Sequence, residues 1–469
     1  MAAVLDALRK ALGTECVRTG DDIPRKNFGD ASSAQSRAPL ALLLPRSTEE
    51  VSRCLEICHA HDHRIVPQGG MTGLAGGANP QANEIALSLE RMAGVEEIDH
   101  ESATLTALAG TPLAVIQSAA EEAGFLCGID LGARGTCTIG GNVVTNAGGN
   151  QVLRYGMTRR NVLGLEVVLA DGRVLRSLNK MMKNNAGYDW TQLFIGSEGT
   201  LGVVTRVVLA LHPRPQGLAS ALCAVDSFGD AIAVLRRFDS RFPGRLLVFE
   251  AMWREYMDVA IDRSGLMQPF ANRHEITLLV EAAMGDEPGA EDAFAETLAG
   301  FIEEGVVKDA LIAQSGNDRK RFWTYREANY EFGRILPEGS HFDVSIPISR
   351  MAVAVDLLRQ RSRSRWPHSV LIVFGHVADS NIHLSLCDES YDEAMGHEMN
   401  AVAYGVVSEV GGTISAEHGI GILKRPYLAM SRTGPELDLM KALKHALDPK
   451  GILNPGRILM PESRTLQDA

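Results

Sequence analysis

Two short segments in the C-terminal part of the chain contain residue types that bind metal ions. They read GHVADSNIH (375–383) and SAEHG (415–419). His376, His383 and Glu417 offer two nitrogen ligands and one oxygen ligand, a set that suits zinc or another divalent ion such as manganese and leaves a position open for substrate. His418 adds a titratable group beside that centre. The alternative is that both histidines are ordinary strand residues, but the neighbouring glycines permit close backbone approach and favour the metal site.

Three glycine-rich loops in the first half of the chain indicate a second kind of site. They are QGGMTGLAGG (68–77), GTCTIGGNVVTNAGG (135–149) and GSEGTLGVV (196–204). The first follows an apolar strand, so its amides can surround a pyrophosphate, although it matches neither GxGxxG nor a Walker loop. On its own, it is as typical of a structural turn. The second loop offers small and amide residues against which a flat ring system can lie, and three loops together can hold one extended ligand.

Composition limits the class of protein. A chain of 469 residues predicts two or three domains, and 45% hydrophobic with 22% charged residues is typical of a globular protein. The net charge of -12 argues against nucleic-acid binding. Seven scattered cysteines without a CxxC pair indicate a reducing compartment. The N-terminus predicts an amphipathic helix rather than a signal peptide, and no membrane span is expected, so we expect a cytoplasmic protein.

The elements that must position these loops alternate between strands and helices. The pattern predicts a strand over 38–45, a helix over 47–61 capped by Ser47 or Thr48, and a strand over 64–67. Residues 163–170 and 174–175 predict a hairpin whose turn is Asp171-Gly172. Residues 341–347 alternate as a strand with His341, Asp343 and Ser345 on one face.

Six ordered motifs resemble a known family of flavoproteins. They are PQGGMTGLAGG, DLGARGTCTIGGNVVTNAGG, FIGSEGTLGVVT, GHVADSNIH, AEHGIG and DPKGILNPGRIL. They are similar to the FAD-binding fold of the vanillyl-alcohol oxidase and p-cresol methylhydroxylase superfamily, and within it to the branch of FAD-dependent D-2-hydroxy-acid dehydrogenases acting on D-lactate, D-2-hydroxyglutarate or glycolate. The similarity extends from about Leu40 to Met460.

The resemblance implies an α+β fold with three parts. Residues 1–214 are expected to form a two-subdomain FAD-binding domain of the p-cresol methylhydroxylase type. Residues 215–424 are expected to form a substrate- and metal-binding domain with an antiparallel sheet covered by helices, and residues 425–469 a segment that returns to the flavin. The first boundary is set near HPRPQG (212–217), where prolines interrupt the pattern.

The resemblance also implies which residues contact a non-covalent FAD. The expected contacts in the first loop, including the pyrophosphate cradle, are Pro67, Gly69, Gly70, Met71, Thr72, Gly73 and Leu74. Those along the ribityl chain, the ring system and the adenine are Gly135, Thr138, Gly140, Gly141, Asn142, Asn146, Gly149, Glu198, Gly202, Val203 and Asn454. Some relatives attach the flavin through a histidine in the first loop, where this chain has Met71. Cys137 is the other candidate for attachment, and a structural role is favoured for it.

The implied reaction is oxidation of a D-2-hydroxy acid to the 2-oxo acid. Hydride passes from Cα to the flavin while the hydroxyl loses a proton. A metal held by His376, His383 and Glu417 would bind the hydroxyl, and His418 is the candidate base. Arg326 matches the family's carboxylate-binding arginine. Its alternative is an ordinary surface ion pair on a helix.

Departures from the family pattern leave the substrate open between D-2-hydroxyglutarate and a D-lactate-like acid. The D-2-hydroxyglutarate enzymes have lysine where this chain has His341, a small hydroxylated residue where it has Tyr330, and asparagine where it has Ser385. We expect all three to bind substrate. Ser380 stands at a turn position that is more often glycine.

Several alternatives for activity and partners remain open at this stage. The chain could be an oxygen-using oxidase, a glycolate-oxidase-type subunit of a larger complex, or a metal-dependent hydrolase. An electron-transfer flavoprotein, a quinone or a cytochrome are the candidate acceptors, and a homodimer is compatible with the sequence.

Overall fold

The computed structural model describes residues 2–285 and 289–460, so Met1 of the predicted first domain and residues 461–469 of the predicted C-terminal segment lie outside the described residues. The described chain forms two compact units. The first contains residues 2–149, 155–214 and 417–460, and the second contains residues 150–154 and 215–416.

The first unit contains two sheets. The smaller has the strand order β1-β2-β4-β3, and its strands are β1 (Val17–Arg18), β2 (Ala41–Leu43), β3 (Ile65–Gln68) and β4 (Ile85–Ser88). β4 pairs in parallel with β2 and β3. The larger sheet is antiparallel in the order β5-β6-β10-β8-β9, with β7 also paired to β10. Its strands are β5 (Val95–Asp99), β6 (Thr104–Leu108), β7 (Phe125–Cys127), β8 (Val162–Val168), β9 (Val174–Ser177) and β10 (Val203–Pro213).

The second unit is built on one antiparallel sheet of seven strands in the order β14-β11-β13-β12-β16-β17-β15. The strands are β11 (Gly217–Val225), β12 (Leu246–Trp253), β13 (Ile276–Met284), β14 (Asp309–Ile312), β15 (Gly339–Ser345), β16 (Val370–Gly375) and β17 (Asn381–Cys387). Helices pack against this sheet, including those formed by Phe228–Arg241, Arg254–Asp262 and Gly316–Arg326. The predicted antiparallel sheet covered by helices is therefore confirmed.

Helices connect and cover the strands in both units. In chain order they are α1 (Ala2–Leu12), α2 (Thr48–Ala60), α3 (Leu113–Glu122), α4 (Ile139–Thr145), α5 (Val152–Tyr155), α6 (Thr158–Asn161), α7 (Thr191–Phe194), α8 (Phe228–Arg241), α9 (Arg254–Asp262), α10 (Ala290–Glu303), α11 (Gly316–Arg326), α12 (Asn329–Ile335), α13 (Ile348–Arg365), α14 (Glu393–Glu409) and α15 (Gly434–Leu447). None of the helices in the described ranges is long and apolar enough to cross a bilayer.

Three local predictions in the first unit, a helix cap, a hairpin and an amphipathic helix, are confirmed. Ser47, not Thr48, caps α2, because its side chain accepts a hydrogen bond from the amide of Glu50 at 3.2 Å. β8 and β9 form the predicted hairpin, and Gly172 in its turn has a φ of 88°. α1 buries Val4, Leu8 and Leu12, as an amphipathic helix should.

Candidate active site

His376 and His383 are brought together by the sharp connection between β16 and β17. At the end of β16, Gly375 has a φ of 150°, and a Cβ there would lie 2.8 Å from the carbonyl oxygen of Asn381. Ser380 closes the turn with a φ of 74°, so the turn takes the left-handed geometry expected of glycine although the residue is serine. The centroids of the two imidazole rings lie 5.6 Å apart. The two predicted nitrogen ligands therefore form a pair within the second unit.

A buried glutamate on the adjacent strand holds His376. Glu250 of β12 is 1% exposed, and its Oε1 accepts a hydrogen bond from Nδ1 of His376. Its Oε2 accepts a hydrogen bond from Nε of Arg326 at 2.6 Å. Burial opposes ionisation of Glu250, but its interactions with His376 and Arg326, which both donate hydrogen bonds to it, outweigh burial and hold the pKa of the carboxyl far below its usual value. Glu250 is thus an ionised carboxylate shared between two predicted site residues.

Arg326 is a buried residue at the end of α11. Its guanidinium carbon lies 4.7 Å from the centroid of the Phe374 ring, a cation–π distance. The hydroxyl of Tyr256 donates to the carbonyl oxygens of Tyr325 and Arg326, at 2.9 and 2.7 Å, and so fixes the end of the helix. The alternative of an ordinary surface ion pair is wrong, because the side chains of Arg326 and Glu250 are only 10% and 1% exposed.

The β16–β17–β15 register places further candidate residues on the face that carries His383. His341 lies opposite Ser385, and its Nδ1 is 2.8 Å from the serine Oγ. Asp343 lies opposite His383, with 3.8 Å between its Oδ1 and the histidine Nδ1, which is within ion-pair reach but too long for a hydrogen bond. Tyr330 is exposed on α12. Of the three predicted substrate residues, His341 and Ser385 are therefore in hydrogen-bond contact with each other.

The first glycine-rich loop fits a pyrophosphate. No backbone amide of residues 69–76 donates a hydrogen bond to any residue in the described ranges, so a run of donors is available to an anion. A Cβ on Gly69 would lie 2.6 Å from Oγ1 of Thr138, and one on Gly70 would clash with the carbonyl of Thr136. Met71 has a φ of 57°. Only glycines allow this loop and the second loop to approach so closely.

Two amide side chains in the first unit also fit a polar ring system. Asn142 on α4 and Asn454 in the C-terminal segment are buried, and neither Oδ1 has a hydrogen-bond partner among the residues described. Thr138 caps α4 by accepting from the amide of Gly141 at 3.4 Å, and Asn146 ends this helix with a φ of 47°. Buried acceptors of this kind require a donor, which the N–H groups of a bound flavin can supply. The residues present therefore fit FAD.

The third glycine-rich loop has a structural role in the first unit. Glu198 accepts hydrogen bonds from the amides of Ile420 and Gly421 at 2.7 and 2.8 Å. A Cβ on Gly202 would lie 2.8 Å from the Phe194 ring, and Val203 is 2% exposed in the apolar core. The amide of Gly149 donates to Oε1 of Glu417 at 2.7 Å. Glu198 and Gly149 thus fix the segment that contains Glu417 and His418.

Comparison with known proteins identifies the family. The family described as "FAD linked oxidases, C-terminal domain" matches residues 214–458, and the family described as "FAD binding domain" matches residues 39–177. The mitochondrial D-2-hydroxyglutarate dehydrogenase of Bos taurus is 39% identical over 89% of this chain and 76% of its own length. The chain belongs to the FAD-dependent D-2-hydroxy-acid dehydrogenase family.

Other members and structural neighbours agree with this assignment. D-2-hydroxyglutarate dehydrogenase of Xanthomonas citri pv. viticola is 37% identical over 90% of this chain and 89% of its own length. A putative D-lactate dehydrogenase of Schizosaccharomyces pombe is 32% identical over 92% of this chain and 84% of its own length. The crystal structure of p-cresol methylhydroxylase with substrate bound superposes with a TM-score of 0.78 at 15% identity, covering 98% of this chain and 97% of that one. This last likeness confirms the predicted fold.

Membership makes the protein an FAD-dependent oxidoreductase and excludes the metal-dependent hydrolase.

Glu250 is the residue that sequence reasoning missed. Its signal was a single charge inside the apolar run LLVFEAMW (246–253), because a lone carboxylate in a buried strand requires charged partners.

Proposed function

We propose that the protein oxidises a D-2-hydroxy acid to the corresponding 2-oxo acid. Bound FAD would accept the hydride, and a divalent ion would lower the pKa of the substrate hydroxyl. His376 and His383 would hold the ion together with Glu417. The observation that carries the proposal is the pairing of these two histidines, one directly after β16 and the other on β17, with His376 fixed by Glu250.

The protein's own residues would bind and deprotonate the substrate. Arg326 would hold the 2-carboxylate, for which a planar guanidinium is suited. His418 would take the proton of the hydroxyl as general base. His341, Ser385 and Tyr330 would contact the far end of the substrate and decide between D-2-hydroxyglutarate and shorter, D-lactate-like acids. The relatives' names support both substrates.

Anaerobic mixing of the purified yellow protein with D- and L-2-hydroxy acids tests the reaction. The flavin should bleach with a D acid and stay oxidised with its L enantiomer. Chelator-treated protein and the variants His376→Ala and His383→Ala should keep FAD but lose bleaching by several orders of magnitude in rate. Bleaching at the normal rate in Glu417→Ala or in chelated protein would contradict a catalytic metal.

We expect FAD to be non-covalent and to leave on acid precipitation. Met71 replaces the tethering histidine, and Cys137 is buried with the pKa of its thiol raised by that burial, which disfavours the nucleophilic thiolate. Flavin retained by precipitated wild type but lost from Cys137→Ala would overturn this.

For reoxidation we propose an electron-transfer flavoprotein, a quinone or a cytochrome, tested by adding each to the bleached protein.

A further inference from the structure

We propose that Glu250 is a positioning residue that orients His376 toward a metal ion and Arg326 toward the substrate carboxylate. The inference rests on the proposed function and concerns how that site is built. Both oxygens of this carboxylate are engaged, one by each partner, and all three residues belong to the second unit.

The hydrogen bond from His376 selects the form of its imidazole. A neutral ring that donates through Nδ1 carries its lone pair on Nε2, which is then the nitrogen able to bind a metal. A carboxylate behind a metal-bound histidine also fixes the plane of the ring and makes it a stronger ligand. Removing Glu250 would take away the hydrogen bond that selects this tautomer and this ring orientation of His376.

The hydrogen bond from Arg326 determines which of its donors face a substrate. Nε is committed to Glu250, and Nη1 makes a long contact of 3.5 Å with Oδ1 of Asn329. Nη2 donates to no residue that the structure describes, which leaves it for an anion. Phe374 lies under the guanidinium and restricts its rotation.

One rigid carboxylate therefore fixes the spacing between a metal-binding nitrogen and a carboxylate-binding guanidinium. A 2-hydroxy acid carries its hydroxyl and its carboxylate on adjacent carbon atoms, so both groups lie a constant short distance apart. The pair His376 and Arg326, aligned by Glu250, suits this class of acid and would discriminate against acids with the hydroxyl farther along the chain.

The test compares Glu250→Gln with a matched control, Glu281→Gln. Glu281 lies on β13 of the same sheet, is also 1% exposed, and is held by Arg319 at 2.7 and 2.8 Å. Its partners Arg319 and Trp323 are on α11, like Arg326, but His376 is not among them. Both variants therefore remove one buried charge from one sheet, and only one of them contacts a predicted metal ligand.

The primary measurement is the Zn²⁺ affinity of metal-free, FAD-loaded protein, in competition with a chromophoric chelator. Glu250→Gln should bind Zn²⁺ roughly 10- to 100-fold more weakly than wild type, and Glu281→Gln should equal wild type. Flavin absorbance and the melting temperature verify folding. Glu250→Asp, which keeps the charge but shortens its reach, should lie between the two, and it replaces Glu250→Gln if that variant does not fold.

The second measurement is the KM for the 2-hydroxy acid in anaerobic flavin reduction with Zn²⁺ at saturation. It should rise in Glu250→Gln, because Arg326 loses its orientation. Wild type that binds no Zn²⁺ would overturn the metal site and this inference together. Wild type that binds Zn²⁺ while Glu250→Gln binds it equally would overturn only the inference, as would an equal loss of affinity in Glu281→Gln.

Discussion

At the scale of single residues, the chemistry of His341 depends on its charge. The residue as a whole is exposed, but the protein atoms packed around its imidazole displace water, and this desolvation lowers the pKa of His341 below its usual value. The hydroxyl of Ser385 is the hydrogen-bond partner of the imidazole. The competing interpretation, a buried histidine paired with Asp343, is wrong because His341 is exposed and its Nδ1 lies 2.8 Å from Oγ of Ser385. A lysine at position 341 would be charged at all physiological pH values, whereas His341 is charged only in mild acid.

We therefore expect the preference for dicarboxylates to depend on pH. His341 gains its positive charge as pH falls below about 6.5, so kcat/KM for D-2-hydroxyglutarate relative to D-lactate should rise in that range. His341→Lys should give a high ratio that does not change between about pH 6 and 8. Steady-state kinetics with both substrates measure this. Ser385→Ala is the control, since it keeps the imidazole and should retain the pH dependence. Equal losses for both substrates in His341→Ala would remove His341 from the substrate site.

At the scale of elements, short segments between strands and helices carry the candidate ligands. Segment 417–421 has no regular secondary structure, and Glu198 holds it through the amides of Ile420 and Gly421. Glu198 itself has a φ of 51°, and its carbonyl accepts a hydrogen bond from Asn454 at 2.7 Å. The position of His418 in the first unit therefore depends on a residue more than 200 positions earlier in the chain.

Glu198→Gln should loosen this segment. One amide would face an NH₂ group instead of an acceptor, which costs about 1–3 kcal/mol for an unpaired buried donor. Hydrogen exchange at Ile420 and Gly421 should accelerate, and the melting temperature should fall. Glu90→Gln, an exposed residue paired with Lys26, is the control. Unchanged exchange at Ile420 and Gly421 would show that Glu198 does not anchor the segment.

The loss of stability in Glu198→Gln should also depend on pH. Burial raises the pKa of Glu198 above its usual value, against the hydrogen bonds from Ile420 and Gly421. Between the unfolded pKa, about 4.3, and the raised folded value, the folded protein keeps a proton that the unfolded chain has lost. The advantage of wild type over Glu198→Gln should therefore be largest in acid and decrease as pH rises through that window.

At the scale of the whole molecule, the chain leaves the first unit near Arg214 and returns to it at Glu417. The returning segment is fastened by Arg457, whose Nη1 and Nη2 donate to the two oxygens of Glu84 at 2.8 Å each. Both side chains are at most 1% exposed, and Arg457 also donates to the carbonyl of Asn79. The C-terminal segment is thereby part of the first unit and carries Asn454 with it.

Arg457→Met should destabilise the first unit, because it leaves the Glu84 carboxylate buried without its partner. Removing one member of a buried ion pair costs about 3–5 kcal/mol. We expect a melting temperature lower by roughly 10 °C and faster release of FAD, followed by flavin fluorescence on heating. Arg432→Met serves as the control, since its pairing with Glu436 is solvent-exposed. An unchanged melting temperature would mean that the segment is held by other contacts.

The sequence by itself determined the family, the fold and those features that depend on residues only a few positions apart. Glycine spacing revealed the three loops because close backbone approach excludes every other residue, and Ser47, Asp171 and Gly172 act through hydrogen bonds and dihedral angles within a few positions. The alternation of residues 341–347 predicted which side chains share a face, because that depends only on strand geometry.

Only the tertiary structure decided which of these residues share partners. Glu250 is separated by 76 positions from Arg326, and it reaches both Arg326 and His376 because α11 ends beside β12, the strand that pairs with β16. The register of β15 against β17 placed His341 opposite Ser385 and Asp343 opposite His383. Glu198, an expected cofactor contact, also anchors residues 420–421 from a distant part of the chain. Contacts between distant segments are set by packing and register, which local propensity and spacing do not encode.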